Sequence, residues 1–295
     1  MLGGKSLAQW IGITLELGKI RIAQLVTLST ATGFILANNQ ISLKLIAPVV
    51  GILFMALGSG ALNQYQERER DALMSRTKDR PIPSGRLSTK VALIISIVFI
   101  LIGIFVLYFG TNLTSLLIGL ITIFWYNVVY TLLKRHSPMA VIPGSIIGAL
   151  PPLVGWASTG KSIIAAQPIA LALFFFIWQI PHFWLLLLKF GDDYKKGGYP
   201  SLTSILDNNQ LGRLTFIWIV ASAVALIFMP MFGLGNSIYT YIIMFIMGVI
   251  LIWKSISLLK ADEAKISFRM AFVSINVFIL SVMFVLTIDR LLLCH

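Results

Sequence analysis

Cysteine is nearly absent from this 295-residue chain: the single one, Cys294, excludes an internal disulfide and a cysteine-built metal cluster. Charge is scarce as well. Only 12% of residues are Asp, Glu, Lys or Arg, 58% are hydrophobic, and the mean hydropathy is +0.90. No soluble core of this size needs so much apolar residue, so the composition predicts an all-α, polytopic membrane protein. A phosphate loop of the GxxxxGK[ST] kind is missing, and glycines are scattered singly among apolar runs, which excludes that class of nucleotide site. No cleaved signal is expected at the N-terminus. Met1 to Arg21 has no apolar core followed by a small-residue site, and Trp10, Ile11 and Leu15 suggest a helix lying at the interface.

A membrane span needs roughly 20 mainly apolar residues. Nine segments qualify, at 20–37, 41–62, 90–109, 111–133, 140–158, 166–188, 213–232, 236–258 and 268–288, read as one transmembrane domain over 1–295. The tight breaks "ANNQ", "FGTN" and "FGLGN" place three hairpins on one side. The connections 63–89, 189–212 and 259–267, with the short "KRHSP", fall on the other.

The net charge of +12 would suggest nucleic acid in a soluble protein, but here the bias of basic loops toward the cytoplasm accounts for it, and no nucleic-acid partner is expected. An N-terminus in the cytoplasm puts 20 of the 23 Lys and Arg inside, leaving only Lys44, Lys161 and Arg290 outside. The acids are as lopsided: of eleven, only Asp289 lies outside. Acids contribute little to orientation, so their gathering needs another cause.

"NQYQERERDALMSRTKDRP", Asn63 to Pro81, holds the densest cluster, with nine charges among the fourteen residues from Glu67 to Arg80. Asn63, Glu67 and Asp71 are spaced i, i+4, i+8. If the second span continues through them they lie along one helix face, about 6 Å apart per step. Such a row of oxygens suits Mg²⁺, which takes one or two carboxylates, keeps waters and bridges to substrate phosphates. Arg76 and Arg80 follow, and arginine pairs bidentately with phosphate oxygens. The bland alternative is a solvated loop whose charges pair at i, i+4, and it fits Arg68, Glu69 and Arg70 well. It explains the row at the end of a span less well. Nine charges in hydrocarbon would cost roughly 25 kcal/mol at about 3 each, so they need water or a polar cavity.

A second constellation, "LLLLKFGDDYKKGGYPSL", follows the sixth span. Asp193 offers a carboxylate to face the first row, with Lys189, Lys195 and Lys196 beside it and Asp192 as a solvated neighbour. "YTLLKR" supplies Tyr130, Lys134 and Arg135 at the end of the fourth span, where an interfacial anchor is the simpler reading of each alone. Together the spacing points to a Mg²⁺–diphosphate site at the cytoplasmic mouth of a helical bundle.

These motifs resemble the UbiA superfamily of intramembrane prenyltransferases, which carry Asn- and Asp-rich motifs after helices 2 and 6. Taken with "GALPPLVGW" and "WQIPHFW", they are most similar to its protoheme IX farnesyltransferase (heme O synthase) branch, over about residues 20–290. Glu67 stands where the superfamily usually has Asp, Lys189 where many relatives have the first Asp of the second motif, and "GGYPSL" where AGxPML is more usual. The resemblance implies a nine-helix bundle in the cell inner membrane that converts heme B and farnesyl diphosphate to heme O and diphosphate. It implies Mg²⁺ on Asn63, Glu67, Asp71 and Asp193, and the diphosphate on Arg76, Arg80 and Lys134. Tyr130, Arg135, Lys189, Lys195 and Lys196 are secondary candidates there. Protein partners it would allow are a second copy of the chain or a downstream heme-modifying enzyme.

Three histidines occur. His182, within a span, is a candidate heme contact because an ionisable group there is functional by default and imidazole ligates heme iron. His136 in "KRHSP" is a second, and His295 is the last residue of the sequence. Pro151 and Pro152 should break the fifth span and open a groove for a flat ring or simply for packing. Three other readings remain: a prenyltransferase for a quinone precursor or another ring, a transporter, and a membrane scaffold. A transporter should cluster polar groups near mid-membrane, whereas here the cluster is one-sided.

Overall fold

A computed structural model describes residues 6–259 and 264–292, without the side chains of 264–267; Cys294 and His295 lie outside the described residues. The described residues form helices and no strand. In chain order they are α1 (Leu7–Leu17), α2 (Ile20–Asn38), α3 (Ile46–Asp71), α4 (Thr89–Gly110) and α5 (Leu113–Leu133). Then come α6 (Val141–Ala157), α7 (Ala166–Lys196), α8 (Asn208–Phe228), α9 (Ile238–Ser255) and α10 (Ala264–Leu292).

Eight helices among the described residues are long and apolar enough to cross a membrane. The ninth expected span, 140–158, is α6, which is apolar but shorter, interrupted at Ser145, and carries Pro151 and Pro152 inside. Proline lacks the N–H that the carbonyl four residues earlier would accept from, so α6 is a broken element.

The exposed residues are largely apolar: Leu101, Phe105, Phe109, Ile243, Phe245 and Phe284 all face outward. Such a surface suits lipid rather than water. Small residues then let backbones meet where side chains would hold them apart. At the crossing of α2 and α6, a Cβ on Gly155 would sit 1.9 Å from the carbonyl oxygen of Thr30, and one on Gly33 2.0 Å from that of Pro152. One apolar cluster binds α7 to α8, α9 and α10 through Phe174, Ile219, Met244 and Ile275, and another joins α3, α4, α5 and α6 through Met55, Leu107, Leu116 and Val154.

The N-terminal helix α1 is too short to span. Ser6 and Gln9 form a capping box at its start, and Ile13 and Leu17 pack against Ala61, Ile82, Leu87 and Ala92 while Leu7 and Ile11 stay exposed. Gln64 donates to the carbonyls of Glu16 and Leu17 at 3.0 and 2.9 Å, closing the helix end and seating it beside α3. Segments 16–19, 63–86, 126–135 and 193–199 thereby meet at one end of the bundle, where most of the charge collects.

Candidate active site

α3 continues well past its apolar section and ends at Asp71, so the row of oxygens does lie on a single helix. Asn63, Glu67 and Asp71 are all buried, at 1%, 5% and 1% exposure. Buried carboxylates require partners. Glu67 is ion-paired with Lys134 and accepts from the phenol of Tyr199 at 2.9 Å; Asp71 pairs with Arg80 at 2.6 Å. Asn63 accepts from the ammonium of Lys19 at 2.6 Å and donates to Thr131 at 3.1 Å.

These groups line the mouth of a cavity of about 270 Å³. Along α3 its wall runs from Asp71 down to Ile52, nineteen residues, or roughly 28 Å at 1.5 Å per residue. The mouth carries Lys19, Arg76, Arg80 and Lys134 against Glu67 and Asp71, four basic side chains to two carboxylates. Below Asn63 the wall turns apolar, with Val26, Ile52, Met55 and Ile123. A polyanionic head with a hydrocarbon tail matches that division.

α5 shapes the opposite wall. Its segment Trp125–Tyr130 is wound as a π-helix, a rare form that is frequent at functional sites. Asn127 is buried there and donates to the Ser59 carbonyl at 3.0 Å and to Gln66 at 3.3 Å, while Gln66 returns a bond to the Asn127 carbonyl at 3.0 Å. The extra residue in the turn sets Tyr126 and Tyr130 in a stack 6.1 Å apart, both lining the cavity. Lys134 follows one turn later, above the Tyr130 and Tyr199 rings at 5.2 and 5.5 Å.

The second constellation closes over the mouth in a different way from the sequence expectation. α7 is broken at Phe190 (φ −124°, ψ 20°), which redirects residues 191–196. Asp193 accepts from Ser75 N–H and Oγ–H at 3.3 and 2.9 Å and from Arg76 N–H at 3.1 Å. It therefore staples the loop after α3 and is not among the residues lining the cavity. Arg76 lies over the rings of Phe190 and Tyr194 at 5.0 and 5.9 Å, at the cavity edge. Among the described residues no three of His, Cys, Asp and Glu gather as a metal site, so the row offers two carboxylates and an amide oxygen.

Of the remaining expected residues, Lys189, Lys195 and Lys196 are exposed, and Lys189 sits over Phe190 at 5.0 Å. Arg135 donates to the Gln66 carbonyl at 2.9 Å. His136 is exposed beyond α5. His182 lies between Trp178 and Phe272, with ring centres 5.1 and 5.2 Å away, and its Nδ1 is buried with no partner.

Lys19 and Tyr199 are among the site residues that escaped the sequence reading. Lys19 takes a left-handed conformation (φ 55°) between α1 and α2, which turns its side chain into the mouth. Burial, and then the charge of Arg80, lower its ammonium to about 7. Tyr199 is buried, and burial followed by the Glu67 carboxylate push its phenol well up, so it stays a donor. A basic residue in a non-glycine left-handed turn leaves no sequence signature. The Gly197–Gly198 pair, with Gly198 at φ 68°, was the visible sign of a turn that could swing Tyr199 back.

Residues 26–279 match the UbiA prenyltransferase family. The chain belongs to that family. Its relatives include a protein named protoheme IX farnesyltransferase from Christiangramia forsetii, 34% identical over 280 residues that cover 92% of this chain and 91% of the relative. One of the same name from Geobacter sulfurreducens is 37% identical over 225 residues, 75% of this chain and 81% of that one. Two solved structures share the fold. A digeranylgeranylglyceryl phosphate synthase superposes with a TM-score of 0.76 at 17% identity, covering 95% of this chain and 98% of its own. A UbiA homolog from Archaeoglobus fulgidus, bound to DMAPP and Mg²⁺, superposes with a TM-score of 0.69 at 15% identity, covering 94% and 98%.

Proposed function

We propose that this prenyltransferase moves the farnesyl group of farnesyl diphosphate onto a vinyl group of heme B, with addition of water, giving heme O and diphosphate. The observation that carries the reading is a cavity that joins a basic, carboxylate-bearing mouth to a largely apolar shaft. The acceptor comes from the names of the relatives, which match this chain along most of its length.

Glu67, Asp71 and Asn63 fit Mg²⁺: they are hard oxygen donors, buried, on successive turns, and already neutralised by cationic side chains. Asp193 is the fourth residue assigned to the metal region; its bonds to the loop of Ser75 and Arg76 make holding that loop its first role. When bound, the ion supplies positive charge that stabilises the diphosphate as it leaves.

The chain's own groups do the rest. Arg76, Arg80 and Lys134 grip the diphosphate oxygens, aided by Tyr130 and Lys19 at the wall, and Arg135, Lys189, Lys195 and Lys196 add to the positive field around the mouth. For that grip Lys134 and Arg80 must exchange Glu67 and Asp71 for phosphate. The apolar shaft excludes water from the allylic cation and holds the tail in line. On the acceptor side, His182 is the first candidate contact for the porphyrin and His136 the second, both outside the residues that line the cavity. The distribution of Lys and Arg supports a cytoplasmic mouth and N-terminus in the inner membrane.

The test is an incubation of the purified protein in detergent with heme B, farnesyl diphosphate and Mg²⁺, analysed for heme O by mass. Product is expected, and it should vanish without Mg²⁺ and with Asp71→Ala. Prenylation of a 4-hydroxybenzoate or naphthoate instead of heme would overturn the acceptor and keep the diphosphate site.

A further inference from the structure

Ser59, Thr122 and Gln179 are polar side chains lining the cavity below the charged mouth, and the hydroxyls of the first two are taken up within the bundle, by Asn127 and by the Ile118 carbonyl. Gln179, on α7, lines the cavity together with Ile147, Gly148 and Pro151 of the broken helix α6. Its Oε1 is packed against α6 with no hydrogen-bond partner, so the amide meets the cavity through its other atoms. The amide rests directly on the α6 backbone: a Cβ at Gly148 would fall 1.7 Å from Oε1, so only glycine admits the side chain there. Pro151 and Pro152 lie inside α6 and lack N–H groups, which frees the carbonyls of Ile147 and Gly148 from their helical donors. The Gln179 amide and two carbonyls that lack the usual helical N–H donor thus share one part of the wall.

The amide NH₂ of Gln179 as donor and the carbonyls of Ile147 and Gly148 as acceptors suit one small polar guest, and a water needs two to four partners of this kind. The prenyl tail offers no hydrogen bond to it. We propose that Gln179, with the Ile147–Gly148 backbone, holds the water that is added to the acceptor. This rests on the heme farnesylation reading above. In the step, the C1–O bond of farnesyl diphosphate breaks and its electron pair leaves with the diphosphate. The vinyl π pair forms the new C–C bond and leaves a cation on the vinyl carbon next to the ring. A lone pair of the held water forms the C–O bond, and the proton it sheds passes to the diphosphate. Gln179 positions the water and takes no proton itself. A cation with no water in place loses a proton to give an alkene, so the same residue decides which product forms.

The experiment compares the intact protein with Gln179→Leu and Gly148→Ala in the heme B, farnesyl diphosphate and Mg²⁺ assay, resolving hydroxylated from alkene product by mass. With H₂¹⁸O the hydroxyl of the intact protein's product should carry the label. In Gln179→Leu the ratio of hydroxylated to alkene product should fall about tenfold, the worth of one hydrogen bond of roughly 1.4 kcal/mol. Diphosphate release should remain. Gly148→Ala keeps the amide but pushes it aside, and should shift the ratio the same way; a variant that merely unpacks the bundle would lose both products together and leave the ratio alone. An unchanged ratio in both variants overturns the assignment of the water while heme farnesylation stands. Failure of the intact protein to farnesylate heme overturns both.

Discussion

The pair of Glu67 and Lys134 gives the sharpest test of how the mouth is held before substrate arrives. Glu67 is 5% and Lys134 17% exposed at the side chain, so neither has much water to fall back on. Removing one partner of such a pair typically costs about 3–5 kcal/mol, because the other is left charged and desolvated. Lys134→Met should cost less, about 2–3 kcal/mol, because Glu67 keeps the Tyr199 phenol at 2.9 Å. Glu67→Gln leaves the ammonium of Lys134 over two aromatic rings and should cost about 1–3 kcal/mol. The double variant loses both charges at once. Its cost should fall short of the sum of the singles by about 2 kcal/mol, well above the roughly 0.5 kcal/mol within which independent sites add. Unfolding in mixed micelles with increasing SDS, followed through the seven tryptophans, supplies the three values. Additivity within about 0.5 kcal/mol would refute the pairing and with it the partner exchange that substrate binding requires.

Asp71→Asn keeps the shape of the site but removes a carboxylate, and turnover should fall about 10²- to 10³-fold, as for loss of one preorganised electrostatic group, with helix content unchanged by circular dichroism. Tyr199→Phe takes one donor from Glu67 at a cost of about 1 kcal/mol; because the intact phenol is pushed up and stays protonated, the pH profiles of variant and intact protein should share their shape between roughly pH 6 and 9. Asp193→Ala frees Ser75 and Arg76, so proteolysis of the loop after α3 should speed up and KM for the diphosphate substrate rise more than kcat falls. Gly155→Ala drives a methyl into the Thr30 carbonyl and should destabilise the α2–α6 crossing by about 1–3 kcal/mol, read as a lowered Tm in detergent.

The spans were legible because burial in lipid leaves a one-dimensional record: an apolar run of bilayer length. Eight long helices answer eight of the nine expected runs, and the ninth, shortened and broken, carried its explanation in Pro151 and Pro152. The row Asn63, Glu67, Asp71 was legible for a similar reason, since i, i+4 spacing fixes a common face once the helix is known to continue. The gathering of acids and bases in the same few connections was legible too, and it was the sign from which a metal–diphosphate site was expected there. What the sequence could not hold were contacts across chain distance and backbone excursions. Lys19 enters the site through a left-handed turn and Tyr199 through a kink at Phe190 and a glycine turn, each placed by a few dihedral angles. Asp193 carried the right chemistry but was turned onto the loop of Ser75 and Arg76, a choice between partners that only packing makes. Gln179 looked like any polar residue in an apolar helix until Gly148 and two prolines were laid beside it. Composition and periodicity thus determined the membrane, the bundle and the carboxylate row, because these depend on local spacing. Tertiary structure alone decided which charges face one another and where the cavity turns polar, because those depend on distances between residues the chain keeps far apart.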